Sequence, residues 1–370
     1  MIRIERVINF FFYINVVLYM FSLSNIPFLF HMEFINVIPT VLGLLAYMMY
    51  YYKARKLPTN SMPSLLLLLL YTFFVVLFWK KFDIDWSLVS ILIYVPLIDS
   101  ENKGFIRGLI LVKLFVLMIV VVLSLLGIIT DTVYLKLSGV SHSLGFFHPN
   151  TLGAVSLSIF FDCFILFQEL RKQYFTFFLL TVLYIVYHLT FSRTSIIIAG
   201  LGLLIYAFRK ILSSYVMNKF VFLITTTGVY LFGMFYSMFY STSNIFYRQL
   251  DIFLTNRVRL GNMYIQRYGF TLFPKSTPNI IPQGWWSSEQ LFNDNTFLKF
   301  ALTQGVIIAV LFLLYILYFI GTKEYCLYDA LLILLTFLFL MIEALGFYAF
   351  LLTPLLFKFM AVRDSSVKQI

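Results

Sequence analysis

The sequence predicts an all-α, polytopic integral membrane protein that forms a single membrane domain over residues 1–370. Of the 370 residues, 61% are hydrophobic and only 12% are charged, whereas roughly 25% of the residues in a soluble domain are charged. Apolar runs such as 64–79 and 109–129 approach the ~20 residues that a helix needs to cross a bilayer. Such runs recur along the whole chain, so no separate soluble domain is predicted.

About 12 transmembrane helices are expected from these runs. The expected spans are approximately 7–29, 34–52, 63–79, 86–99, 106–129, 149–168, 174–191, 194–208, 220–240, 296–320, 328–345 and 347–361. The fourth and the last are short for a transmembrane helix. No small-residue cleavage site follows the first run, which predicts an anchor that is retained.

The distribution of positive charge predicts that the N- and C-termini are both cytoplasmic. With that orientation, most of the 27 Lys and Arg residues fall in cytoplasmic segments, as the positive-inside rule requires. Lys113 falls near the inner end of a span, where its side chain is expected to reach the interface. The tryptophans fall at the outer interface that amphipathic rings prefer: Trp79, Trp86, Trp285 and Trp286.

The composition argues against disulfide, zinc and nucleic-acid classes. Cys163 and Cys326 are the two cysteines of the chain and are far apart, so neither a disulfide framework nor a metal site is predicted. The net charge of +11 is scattered between apolar runs and forms no basic stripe, so nucleic acid is not an expected partner. Membrane lipids are expected partners.

Residues 241–295 form one long extracytoplasmic loop, whose length indicates function. Segment 245–273 has the pattern of amphipathic helices that lie on the membrane. Its arginines suit lipid diphosphates, because a guanidinium binds phosphate in bidentate fashion; the alternative is that they only reach lipid headgroups. Helical residues turn by about 100° each, so Arg257 and Arg259 should point apart, and at least one should be structural.

The stretch "GFFHPNTLG" (145–153) places polar residues at the outer start of the sixth span. Pro149 suits the first helical turn, and Asn150 or Thr151 can cap the helix. His148 is left without a structural explanation. A histidine at the membrane edge suits either a proton acceptor or a diphosphate partner, and both interpretations stay open.

Further ionisable residues are expected at the same depth. His188 lies near the outer end of the seventh span, Arg193 follows at the start of the eighth, and Glu343 lies in the outer half of the eleventh. Ionisable residues in a membrane are costly and usually face an interior or a cavity. Asp294 or Asn295 can cap the tenth span, and capping and function are equally open there.

Four segments resemble, in sequence and in order, the Wzy-type polysaccharide polymerases of bacterial capsule and O-antigen pathways. They are "GFFHPNTLG" (145–153), "FSRTS" (191–195), "TNRVRLGNMYIQRYGFTLF" (255–273) and "DNTFLKFALTQGVI" (294–307). The broader group includes the O-antigen ligases. One departure is "LFP" (272–274) in place of the expected "LFG", which affects the backbone path of the loop more than its chemistry.

The resemblance implies an enzyme of the bacterial cytoplasmic membrane. It would join oligosaccharide repeat units carried on undecaprenyl diphosphate into surface polysaccharide, by en bloc glycosyl transfer on the outer face. No cofactor and no metal are implied. The implied partners are the lipid-linked oligosaccharides, together with a flippase and a chain-length regulator of the same pathway.

The resemblance also implies roles for individual residues. Arg193 and Arg257 would hold the diphosphate, and His148 would act as base or diphosphate partner. The other candidates would bind substrate: Asn150, His188, Arg259, Arg267, Trp285, Trp286, Asp294 and Glu343. Ligase-type transfer of a finished glycan to another acceptor shares this chemistry and stays open. A lipid-linked oligosaccharide flippase is the alternative from another class, but it should show related halves and a polar central path.

Overall fold

The computed structural model of the protein describes residues 4–26, 34–54, 61–78, 84–98, 103–136, 139–167, 173–254, 256–275 and 294–343. Its helices are Ile4–Ser22 (α1), Phe34–Ala54 (α2), Ser61–Leu77 (α3), Trp86–Tyr94 (α4), Lys103–Leu125 (α5), Pro149–Leu166 (α6), Gln173–Thr190 (α7), Arg193–Ala207 (α8), Arg209–Ser214 (α9), Lys219–Phe235 (α10), Ile245–Phe253 (α11), Arg257–Tyr268 (α12), Thr296–Gln304 (α13), Val306–Thr322 (α14) and Leu327–Ile342 (α15). 3₁₀ turns at Val95–Leu97 and Tyr236–Phe239 extend α4 and α10. Val133–Lys136 (β1) and Gly139–His142 (β2) form an antiparallel hairpin.

The helices are those of a membrane protein. Four within the described ranges are long and apolar enough to cross a bilayer: α1, α5, α6, and α10 with its 3₁₀ extension. In α6, 83% of the apolar window is buried against other helices, compared with 28% in α5. The chain therefore surrounds α6 with other helices, while α5 presents a broad apolar face outward. The number of spans and their orientation stay predictions, and the last expected span, 347–361, lies outside the described residues.

The expected tenth span, 296–320, is not one helix. It breaks at Gly305, which has φ 84° and separates α13 from α14. The long loop fills the break: the N–H of Val306 donates to the carbonyl of Thr271 at 2.9 Å, and the N–H of Lys275 donates to the carbonyl of Thr303 at 3.0 Å. The loop thus satisfies backbone groups at these two helix ends, which a continuous helix would satisfy internally.

A buried ion pair joins α5 to α6. Nζ of Lys113 lies 2.5 Å from Oδ2 of Asp162, and both side chains are fully buried. The expectation that Lys113 reaches the membrane interface is therefore wrong. By helical rise Lys113 lies about 15 Å from the start of α5, and the facing carboxylate of Asp162 stabilises an ammonium at that depth.

Several helices end or begin close to the predicted site residues at one end of the bundle, which we call the site end. α1, α5, α7 and α15 finish there, and α6, α8 and α13 begin there. The hairpin covers α7 at this end, because Oγ of Ser141 donates to the carbonyl of Thr190. Gly139 has φ 137°, and a Cβ on it would lie 2.9 Å from the ring of Phe191. This close approach requires glycine.

Candidate functional site

α12 begins at Arg257, and the helix before it sets its direction. Asn256 has a left-handed backbone with φ 67°, which turns the chain between α11 and α12. Oδ1 of Asp251 accepts the N–H of Arg259 at 2.8 Å, so a side chain from α11 caps α12. The turn directs Arg257 into the protein and Arg259 to the surface. The prediction that these two arginines point apart is confirmed.

The guanidinium of Arg257 is buried among three other elements of the site end. Its Nε donates to Oδ2 of Asp294 at 3.1 Å, immediately before α13. Its Nη1 donates to Oγ1 of Thr194 at 2.9 Å, in the first turn of α8. Its Nη2 donates to Oε1 of Glu343 at 2.8 Å, at the end of α15. We call these four residues the arginine cluster.

The arginine cluster contains two carboxyl groups and one guanidinium. Burial opposes a charged guanidinium, but the carboxylates of Glu343 and Asp294 outweigh it and hold the pKa of Arg257 above its usual value. Arg257 therefore stays protonated, and three of its five N–H donors are used within the cluster. The cluster ties the long loop to the bundle. Whether Arg257 also binds a diphosphate stays a prediction.

The two polar residues before α13, Asp294 and Asn295, have different roles: one caps the helix and the other pairs with Arg257. Oδ1 of Asn295 accepts the N–H of Leu298 at 3.0 Å and caps the helix, while its amide donates to the carbonyl of Gly233. Asp294 faces Arg257, and its side chain is 37% exposed. Asn295 is thus the cap, and Asp294 belongs to the arginine cluster.

Arg193 lies beside the arginine cluster but outside it. It is the first residue of α8, its side chain is exposed, and it forms no ion pair within the described part of the chain. The next residue, Thr194, holds Arg257. A cation at a helix N-terminus opposes the helix dipole, so a bound anion would stabilise this position.

The start of α6 packs directly against the start of α8. A Cβ on Gly153 would lie 2.8 Å from Oγ of Ser195 and 2.9 Å from Cβ of Ser192. This contact brings the segment that contains His148 beside the segment that contains Arg193. Both helices thus direct their N-termini, the positive ends of their dipoles, to the same end of the bundle.

His148 has a structural role that the sequence did not indicate. Its Nδ1 accepts the N–H of Asn150 at 3.0 Å, so His148 itself caps α6, with Pro149 in the first turn. Asn150 and Thr151 therefore do not supply the cap. Because Nδ1 accepts, a neutral His148 carries its proton on Nε2. This tautomer can donate a hydrogen bond to a phosphate, but it cannot take a proton at Nε2.

The other predicted substrate-binding residues are more peripheral. His188 is exposed, in an aromatic group with Tyr184 and Tyr187 at ring distances of 4.3 and 5.5 Å. Arg259 and Arg267 are exposed on α12. Asn150 is half-buried in the first turn of α6. Trp285 and Trp286 lie outside the described residues.

The sequence reasoning missed two parts of the site end. The first part is Thr194, which holds Arg257 and is not among the site residues that the sequence predicted. The second part is a pair at the base of the hairpin: Nδ1 of His142 lies 2.7 Å from Oδ2 of Asp131. Alternating residues on either side of the serine and glycine at 138–139 would have indicated a hairpin, but no local pattern predicts that its ends pair.

Searches of the chain against protein-family models, characterised proteins and solved structures find no match.

Proposed function

We propose that the protein joins undecaprenyl-diphosphate-linked oligosaccharide repeat units into a surface polysaccharide, by en bloc glycosyl transfer on the outer face of a bacterial cytoplasmic membrane. The observation that carries the proposal is the contact between the four segments that resemble the Wzy-type polymerases. Gly153 packs on Ser195, and the side chains of Thr194, Arg257 and Asp294 are joined by hydrogen bonds. Segments separated by up to about 150 residues thus meet at one end of the bundle.

The chemistry of the proposed reaction fits the charges of this end. A hydroxyl oxygen of the acceptor unit attacks the anomeric carbon of the donor glycan, and the bond from that carbon to the diphosphate oxygen breaks. The bonding electron pair leaves with the lipid diphosphate, and a base takes the hydroxyl proton. Stabilising the charge that develops on the leaving diphosphate lowers the barrier, and preorganised cations do this best.

An exposed cation at the site end supplies that stabilisation. The guanidinium of Arg193 offers bidentate donors to the leaving diphosphate. Arg257 holds the loop in position and keeps its charge because two carboxylates surround it. The lipid-linked units would come from a flippase, and a chain-length regulator would act on the product.

The proposal is tested by replacing Arg193 in the producing cell and sizing the surface glycan. Arg193→Ala is expected to leave single repeat units outside the cell and no long polymer, with normal protein level. Lys299→Ala is the matched control, since it removes an exposed cation from the same end of the bundle, and it should leave long polymer. Deletion of the protein separates the classes of function. Units trapped inside would indicate a flippase, and long lipid-linked polymer would indicate a ligase; either result would overturn the proposal.

A further inference from the structure

The base of the β1–β2 hairpin contains a histidine that a carboxylate orients. Nδ1 of His142 lies 2.7 Å from Oδ2 of Asp131. The other carboxylate oxygen of Asp131 accepts the backbone N–H groups of Ser143 at 3.0 Å and Leu144 at 2.8 Å. These backbone hydrogen bonds fix the side chain of Asp131, so its carboxylate is positioned to accept a hydrogen bond from the imidazole.

This geometry selects the tautomer of His142. Carboxylate oxygens accept hydrogen bonds, so in a neutral His142 the nitrogen that faces Asp131, Nδ1, carries the proton. The lone pair is then on Nε2, the atom that can accept a proton. His148 has the opposite arrangement, because its Nδ1 accepts a backbone N–H. Of these two histidines, only His142 offers a ready base at Nε2.

His142 is accessible, and the strand that contains it is fixed to the end of α7, near Arg193 in the sequence. Its side chain is 38% exposed, and within the described ranges Nε2 makes no hydrogen bond. Its neighbour Ser141 donates to the carbonyl of Thr190, three residues before Arg193. Since successive side chains of a strand point to opposite faces, Ser141 fixes the hairpin on α7 while His142 projects from the other face.

We infer that His142 is the general base of the proposed glycosyl transfer and that Asp131 is its positioning residue. This inference depends on the proposed function. Nε2 takes the proton of the acceptor hydroxyl as the new bond from its oxygen to the anomeric carbon forms. The bond from the anomeric carbon to the diphosphate oxygen breaks, and its electron pair leaves with the lipid diphosphate. The imidazolium returns its proton to water after the glycan has moved on.

The test uses the full-length protein in lipid vesicles, with a lipid-diphosphate-linked repeat unit as substrate. His142→Asn supplies an amide N–H that can replace Nδ1–H towards Asp131, and it lacks the basic Nε2. We expect a 10²–10⁴-fold lower kcat, the usual contribution of a general base, with KM within threefold of wild type. Val133→Ala is the control, because Val133 lies opposite His142 in the hairpin and is exposed; its kcat should not change.

Two further variants separate catalysis from folding. His142→Ala leaves space for a small base, so imidazole in the buffer should raise its rate in proportion to concentration. Asp131→Asn removes the carboxylate that selects the tautomer, and it should lower kcat without changing KM. A rate of His142→Asn within threefold of wild type would overturn the inference, as would a folded His142→Ala that imidazole does not rescue. A wild-type protein that makes no polymer would instead remove the proposed function, and the base with it.

Discussion

Replacing Arg257 should release the long loop from the bundle. Arg257→Gln removes the cation that pairs with Glu343 and Asp294. The side chain of Glu343 is only 5% exposed, so the variant leaves its carboxylate buried without its partner. Asp294 is 37% exposed and regains water. The energetic cost therefore arises mainly from Glu343.

The size of the effect follows from that burial. Removing one partner of a buried ion pair costs about 3–5 kcal/mol. A buried carboxyl without a partner can also take up a proton and lose its charge, so we use the lower end, about 3 kcal/mol. This free energy increases the population of the detached loop roughly 100-fold. When opening is fast compared with cleavage, the rate of proteolysis rises by the same factor.

The assay is limited digestion with a non-specific protease added to the outer side of sealed vesicles. Arg267→Gln is the matched control, since it removes the same charge from an exposed position of the same helix. Arg257→Gln should be cut in the loop roughly 100-fold faster, and Arg267→Gln at the wild-type rate. Additional replacement of Glu343 by Gln should restore most of the protection, because the uncompensated charge is gone. Equal cutting of both arginine variants would refute the role of Arg257 as the anchor of the loop.

Two further replacements test the fold by thermal unfolding in detergent. Gly305→Ala should destabilise the protein, because φ is 84° and the new Cβ would lie 2.7 Å from the carbonyl oxygen of Leu272; strain of this kind costs ~1–3 kcal/mol. Gly321→Ala is its control, since no atom lies within 4 Å of the new Cβ. Lys113→Met should lower the melting temperature by removing the ammonium that pairs with the buried Asp162, and adding Asp162→Leu should recover most of the loss. A double variant as unstable as the single one would contradict this account.

Local patterns predicted much of the fold. Apolar runs located the helices, and the turn of about 100° per residue separated Arg257 from Arg259. The break at Gly305 was not predictable, because one glycine is tolerated within an apolar helix and the loop backbone that fills the break is distant in sequence. For the same reason Lys113 was assigned to the interface: its partner Asp162 lies on another helix.

The sequence predicted which residues belong to the site better than it predicted the contacts between them. Depth along the spans correctly brought Arg193 and Glu343 to one end of the bundle. Which residues touch Arg257 depends on how α8, α13 and α15 pack, and no local pattern contains that information. Asn150 or Thr151 was expected to cap α6, which left His148 without a structural role. In the structure, His148 itself caps α6, because its Nδ1 accepts the N–H of Asn150.

Because three of the five N–H donors of Arg257 are used within the arginine cluster, the proposed enzyme would hold its spent carrier mainly through the exposed guanidinium of Arg193 beside that cluster. Weak binding of the product suits the proposed reaction, since each transfer releases one lipid diphosphate that must leave before the next substrate can bind. Two bare guanidinium groups would bind the discarded carrier more tightly and slow each turnover.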